Sequence, residues 1–361
     1  VTLKIKSADA CEFDLVALGE CMIRLSPPGH GRIEFAPALE VWVGGGEYNV
    51  AYALARLGLR TAWIGGLNTS SMSRIVANHA RAAGVDISHA VTRKYDRVGK
   101  RDRIGLNFTE VGHGRRGSVT LYDRGHSATS GIQPGEIDWR SLFRERGVRW
   151  LHTGGIFAAL SDNTRQVAAE AISAAHEAGT IVSYDLNFRS TLWSGTEAIA
   201  TTRPLVPMID CLIGNEEDFQ KVLGYEAPGV DVEKGELDTS QFKKMVERIV
   251  RDYPNVKAVG TTLRGVKSAL VNDWSAILWH DGTFYDGPPY SNAEIEDRVG
   301  GGDGFASGSI YGFLTGRPPQ DCVDLGVAHG ALLMSTRGDT SQITLDELLH
   351  VARGGSARIK R

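Results

Sequence analysis

From about Arg149 onward, short apolar runs alternate with helix-period segments, and this alternation restricts the chain more than any other feature. The runs are residues 150–156, 180–186 and 211–215, and residues 163–178 form the clearest helix between them. Val167, Ala171, Ala174, Ala175 and Ala178 recur there at helical spacing, with Asp162 or Asn163 available as N-cap and Gly179 just past the end. Strands joined by helices of this length connect as βαβ units, which builds a mainly parallel central sheet flanked by helices. A second helix, residues 50–57, stops at Gly58.

Two regions break the alternation. Residues 20–43 and 100–128 carry glycine, proline and β-formers without intervening helices. They read as strands of a small extra sheet, distant in sequence and paired in space. Residues 269–285 add a third β segment, in which Asp281 and Gly282 suit a two-residue hairpin turn. With no internal repeat and no low-complexity linker, residues 1–361 are expected to form one α/β unit with a β excursion.

Hydrophobic residues make up 42% of the 361, enough for a large core. The net charge of -3 argues against a nucleic-acid-binding surface and favours a small ligand. Cys11, Cys21, Cys211 and Cys322 lack CxxC spacing, so neither a zinc site nor a disulfide framework is expected; reduced thiols fit a cytoplasmic protein. No stretch approaches the roughly 18 apolar residues of a membrane span, and the first residues lack the apolar core of a signal peptide. The basic end from Arg353 to Arg361 reads as a solvated tail.

Four segments carry chemistry. Gly300, Gly301 and Gly302 run into Asp303 and a small-residue helix; glycines at a helix start leave backbone N–H groups open to a phosphate. Asp303 there suits a base that takes a proton from an attacking hydroxyl, although the same residues also describe a glycine turn with a capping carboxylate. Gly44, Gly45 and Gly46 lead into a second helix, where Asn49 offers a donor and an acceptor to hydroxyls; neither a GxGxxG fingerprint nor a P-loop lysine is present. Residues 185–193 follow an apolar strand, and Arg189 among them could grip a carboxylate or phosphate, or pair on the surface. Gly214 to Asp218 follow another strand, with acids suited to magnesium-bound water or to a helix N-terminus.

Together and in this order the segments resemble the ribokinase-like (PfkB) carbohydrate kinases, from about Asp14 to Asp346. Gly44 to Ala51 looks like the N-terminal signature, Asn215 to Asp218 like Asn-x-x-Glu, Thr262 to Gly265 like the nucleotide-side Thr-x-Gly turn, and Gly300 to Asp303 like Gly-Ala-Gly-Asp. The resemblance implies a β lid over the sugar within residues 20–43 and 100–128, ATP with Mg2+, and dimerisation through the lid. It also implies catalysis by Asp303 with Gly300, Gly301 and Gly302, sugar contacts from Gly45, Gly46 and Asn49, and nucleotide contacts from Asn215, Thr262 and Gly265. Asp218 would hold magnesium through water, and Asp297 a monovalent cation, K+.

Asn187 to Trp193 and Tyr122 to Ala128 are similar to segments of the 2-keto-3-deoxygluconate kinase branch. By that similarity Tyr122, Arg124 and Arg189 contact a sugar acid, which two arginines suit better than a neutral ribose. The sequence departs from the family at Gly301, Asp218, Arg264, Gly304 and Asn107; the last stands where the branch carries a lid tyrosine. Two other readings remain open at this level: a fructokinase or ribokinase acting on a neutral sugar, and a weakly catalytic sugar- or nucleotide-binding regulator.

Overall fold

A computed structural model describes residues 3–226 and 239–355. Most of the basic tail lies outside the described residues. In chain order the first half holds β1 (Phe13–Leu18), β2 (Met22–Ser26), β3 (Glu40–Gly44), α1 (Gly46–Arg56), β4 (Thr61–Ile64), β5 (Gly66–Asn68), α2 (Ser71–Ala83), β6 (Val91–Arg93), β7 (Gly105–Glu110) and β8 (Val119–Asp123). There follow β9 (Val148–Gly154), α3 (Gly155–Ala159), α4 (Asp162–Glu177), β10 (Ile181–Asp185), α5 (Gly195–Thr202), β11 (Cys211–Gly214), α6 (Glu216–Leu223) and α7 (Thr239–Asp252). The last part is β12 (Ala258–Val266), β13 (Val271–His280), β14 (Thr283–Asp286), β15 (Tyr290–Glu294), α8 (Gly301–Leu314), α9 (Pro319–Met334) and α10 (Leu345–Ala352).

The large sheet runs β14-β13-β12-β11-β10-β9-β1-β4, with β15 also on β13. The strands from β4 to β12 pair in parallel, and β13 to β15 turn back antiparallel. Alternate residues of β1 face opposite ways and all are buried: Val16 and Leu18 join one core, Leu15 and Ala17 the other. Helices cover both faces, which is why these strands read as unbroken apolar runs. The expected hairpin turn at Asp281 and Gly282 joins β13 to β14, with both residues at positive φ.

The segments at 20–43 and 100–128 meet in a separate four-stranded sheet, β3-β2-β7-β8. Two helix starts differ from the sequence expectation. The cap of α4 is Ser161, because Ser161 and Thr164 exchange reciprocal hydrogen bonds that neither Asp162 nor Asn163 makes. Helix α1 begins four residues before the expected Val50, at Gly46. All four cysteines are buried and unpaired, and no helix among the described residues is long and apolar enough to cross a membrane.

Candidate active site

Open parallel sheets bind ligands beyond the carboxyl ends of their strands, near the point where the chain connections reverse direction. Here that point lies between β1 and β9, and the Glu47 side chain fills it: a β-carbon added at Gly19 or Gly154 would come within 2.2 or 3.3 Å of its carboxylate. Burial pushes Glu47 up to about 7. Beside it a cleft of about 880 Å³ opens over the ends of β10, β11 and β12, walled on the other side by Met22, Asn107, Thr109 and Thr120 of the small sheet.

Asp303 lines this cleft from the first turn of α8, and Gly300, Gly301 and Gly302 line it beside the carboxylate. Gly300 sits at φ +87°, and a side chain there would strike Leu333 and the Asp339 carbonyl; at Gly302 a β-carbon would meet nothing within 4 Å. The first-turn N–H groups of a 14-residue helix thus border open space, the arrangement that accepts an anion. Burial pushes Asp303 up to about 7, helped by Asp339 and opposed by its hydrogen bond from Asn49 and by Arg189.

The two glycine segments converge through one side chain. Asn49 donates Nδ2 to Asp303 Oδ2 at 2.7 Å and accepts the Gly45 N–H at its Oδ1, 3.1 Å away. Asn49, the residue expected to bind sugar hydroxyls, lines the cleft and also orients the carboxylate. Gly45 is required because a β-carbon there would lie 1.9 Å from the Glu20 carbonyl, and Gly46 leaves free the space 3.7 Å from Asp303 Oδ1.

Asn215 and Thr262 line the cleft, whereas Gly265 does not and lies beside Asp273. Asn215 and Asp218 form a capping box on α6, and the other Asp218 oxygen accepts the Phe188 N–H at 2.8 Å. Mg2+ keeps several waters and takes one or two carboxylates together with phosphate oxygens. Asp218, with Asp185 and Glu216 along the same wall, fits that outer role, and among the described residues no cluster would cage a metal directly.

The arginines separate. Arg189 lines the cleft, is exposed, and among the described residues donates only to its neighbouring Phe188 carbonyl at 2.9 Å. Arg124 does not reach the cleft wall: its Nε and Nη2 hold Glu20 at 2.8 and 2.6 Å, and it lies over the Tyr122 ring. Tyr122 shares a strand face with Thr120 but also stands off the wall. Of the two arginines expected to contact the sugar acid, Arg189 therefore stands on the cleft wall, while Arg124 is paired with Glu20, buried after β1.

Asp297 is likewise committed. Its Oδ2 lies 2.6 Å from Arg24 Nη2, and Arg24 Nη1 holds Asp339 at 3.1 Å, all three side chains being buried. Arg24 thus already supplies a positive charge opposite Asp297, the residue expected to hold K+. Asp339 is a cleft residue that sequence reasoning missed; its Oδ2 is buried without a hydrogen-bond partner among the described residues. Asp185, whose carboxyl burial raises well above the usual range, was singled out only as part of a segment. Nothing local marks Glu20, Arg24 or Asp339, since each acquires its role from a distant strand or loop.

A glycine-led helix start beside an oriented, desolvated carboxylate, under a β sheet that walls the cleft, defines a phosphoryl-transfer enzyme. Residues 12–345 match the pfkB family carbohydrate kinases, and the chain belongs to that family. It is 33% identical over 348 residues to the 2-dehydro-3-deoxygalactonokinase of Haloferax volcanii, covering 96% of this chain and 99% of the relative. It is 28% identical to the 5-dehydro-2-deoxygluconokinase of Shouchella clausii, over 95% of this chain and 97% of that one. The crystal structure of 2-dehydro-3-deoxygluconokinase from Thermotoga maritima superposes with a TM-score of 0.88 at 36% identity, covering 94% of this chain and 99% of that chain. The small four-stranded sheet is the lid of this fold.

Proposed function

We propose that the enzyme transfers the γ-phosphate of ATP to a primary hydroxyl of a keto-deoxy sugar acid of the 2-keto-3-deoxygluconate type. Asp303 takes the hydroxyl proton as the sugar oxygen bonds to phosphorus. The bond to the nucleotide breaks, ADP leaves with that electron pair, and the α8 N-terminus receives the phosphoryl oxygens. Mg2+ beside Asp218 would neutralise phosphate charge. Arg189 meets the substrate carboxylate, replacing lost water with charge-assisted hydrogen bonds. Asn107, Thr109 and Thr120 offer the lid's polar groups to the sugar where an aromatic side chain was expected. The relatives named above all act on dehydro-deoxy sugar acids by name.

The observation that carries this reading is the Asn49-oriented Asp303 beside Gly302, with Arg189 left without a carboxylate partner among the described residues. An ADP-release screen across sugar acids and neutral sugars tests the substrate, and two variants test the roles. Asp303→Asn should lower turnover by about 100- to 10,000-fold while ATP still binds. Arg189→Met should cost roughly tenfold to a hundredfold in kcat/KM for 2-keto-3-deoxygluconate and little for a neutral sugar. Equal losses on both substrates would assign Arg189 to the phosphates; a strong wild-type preference for fructose or ribose would remove the sugar-acid assignment.

A further inference from the structure

Two arginines on the nucleotide side of the cleft take no part in the steps above. Arg264 follows Thr262 by two residues on β12, and because alternate strand residues share a face, Thr262, Arg264 and Val266 all line the cleft. Arg298 lines it from the loop before Gly300. Among the described residues neither guanidinium has an ion-pair or hydrogen-bond partner, although Arg24 and Arg124 nearby are both matched to carboxylates.

Arg264 is nonetheless held in place. Its guanidinium lies 5.5 Å from the centroid of the Trp274 ring, and Trp274 is fixed by donating Nε1 to the Val327 carbonyl at 3.0 Å. Its Nη2 comes within 3.5 Å of the point where a β-carbon on Gly301 would stand, so the fork lies against the anion hole. Burial and the neighbouring Arg298 push Arg264 down to about 10, against an upward pull from Glu216. Two partly buried like charges, one of them stacked and oriented, are unfavourable by themselves and are offset when an anion sits against both.

We propose that Arg264 and Arg298 clamp the phosphoryl group during transfer, gripping it from the nucleotide side while Asp303 works from the sugar side. The proposal rests on the phosphoryl-transfer reading and adds two catalytic residues to it. As the sugar oxygen bonds to phosphorus and the bridging P–O bond releases ADP with its electron pair, charge spreads over the three non-bridging oxygens. Planar guanidinium forks match those oxygens in a way an ammonium does not.

The test compares Arg264→Gln, Arg264→Lys and Arg298→Gln with the wild type. Calorimetry without sugar measures binding of a β,γ-imido triphosphate analogue and of ADP. Each glutamine variant should lose roughly tenfold or more in affinity for the analogue and little for ADP, with partial recovery in Arg264→Lys. In turnover, kcat should fall on the order of 100-fold with the sugar KM unchanged. Analogue and ADP affinities that drop equally, or that both stay at wild-type values, overturn the clamp. If Arg264→Gln does not fold, Arg298→Gln carries the same comparison. Because no sugar is present, a wrong sugar assignment leaves this result intact; a wild type that binds no triphosphate overturns the phosphoryl-transfer reading and the clamp with it.

Discussion

Asp303 keeps its proton to about pH 7 because burial penalises the carboxylate more than Asn49 and Arg189 stabilise it. As the proposed base Asp303 works only when ionised, so kcat/KM should climb about tenfold per pH unit below 7 and level off above it in a pH-rate profile. The stability consequence has the opposite sign. A carboxyl raised in the folded state favours folding below its unfolded value near 3.8 and loses that contribution as pH rises through about 7. Asp303→Asn should therefore raise the melting temperature more at pH 8 than at pH 5, and a uniform shift at both would argue against a raised carboxyl. Arg24 is the second residue with a measurable signature. Arg24→Met leaves Asp297 and Asp339 buried without their cation, which should cost about 3–5 kcal/mol in denaturant titration. With the guanidinium in place, exchanging K+ for a bulky organic cation should leave the wild-type rate unchanged.

Among the elements, α8 and α9 define how close the glycine-led start of α8 lies to the core. Gly304, Gly308 and Gly312 recur every four residues on α8, and β-carbons there would approach Gly330, Leu325 and Cys322 of α9 to 2.8 Å or less. The departure from Ser or Ala at Gly304 follows from this contact, since any side chain would press on the Gly330 backbone. Gly308→Ala would place its methyl 2.4 Å from the Leu325 carbonyl oxygen. It should destabilise by about 1–3 kcal/mol in chemical denaturation, as overpacking does. Gly302→Ala points into open space and should cost far less stability while slowing transfer, and comparing the two variants separates packing from catalysis.

At the scale of the whole molecule, the lid has an inner and an outer face. Met22, Asn107 and Thr120 face the cleft, while Val41, Leu25, Phe108 and Leu121 stand opposite one another across all four strands on the other face. Val41 and Leu121 are 52% and 60% exposed. A second copy of the same lid would cover this apolar outer row, the dimerisation that the family resemblance implies. Light scattering should give a dimer mass for the wild type and a monomer for Leu121→Lys. A wild-type monomer at high concentration would remove the interface.

What could be read along the chain was what local interactions decide. Helical and strand periods marked the parallel sheet, and glycines before a small-residue helix marked the helix start that the proposed function uses as an anion hole, with Asp303 as its proposed base. The lid strands were legible as helix-free β-formers. What the tertiary structure alone decided was which polar groups remained available. Asn49 reaches Asp303 across 254 residues and Arg24 reaches Asp339 across 315. Glu20 pairs with Arg124, while Arg189, Arg264 and Arg298 have no ion pair among the described residues. Periods and caps are set within a few residues and so leave a trace in sequence. The pairing of buried charges depends on which loops the sheet order brings together, and a sequence window holds only one partner of each pair.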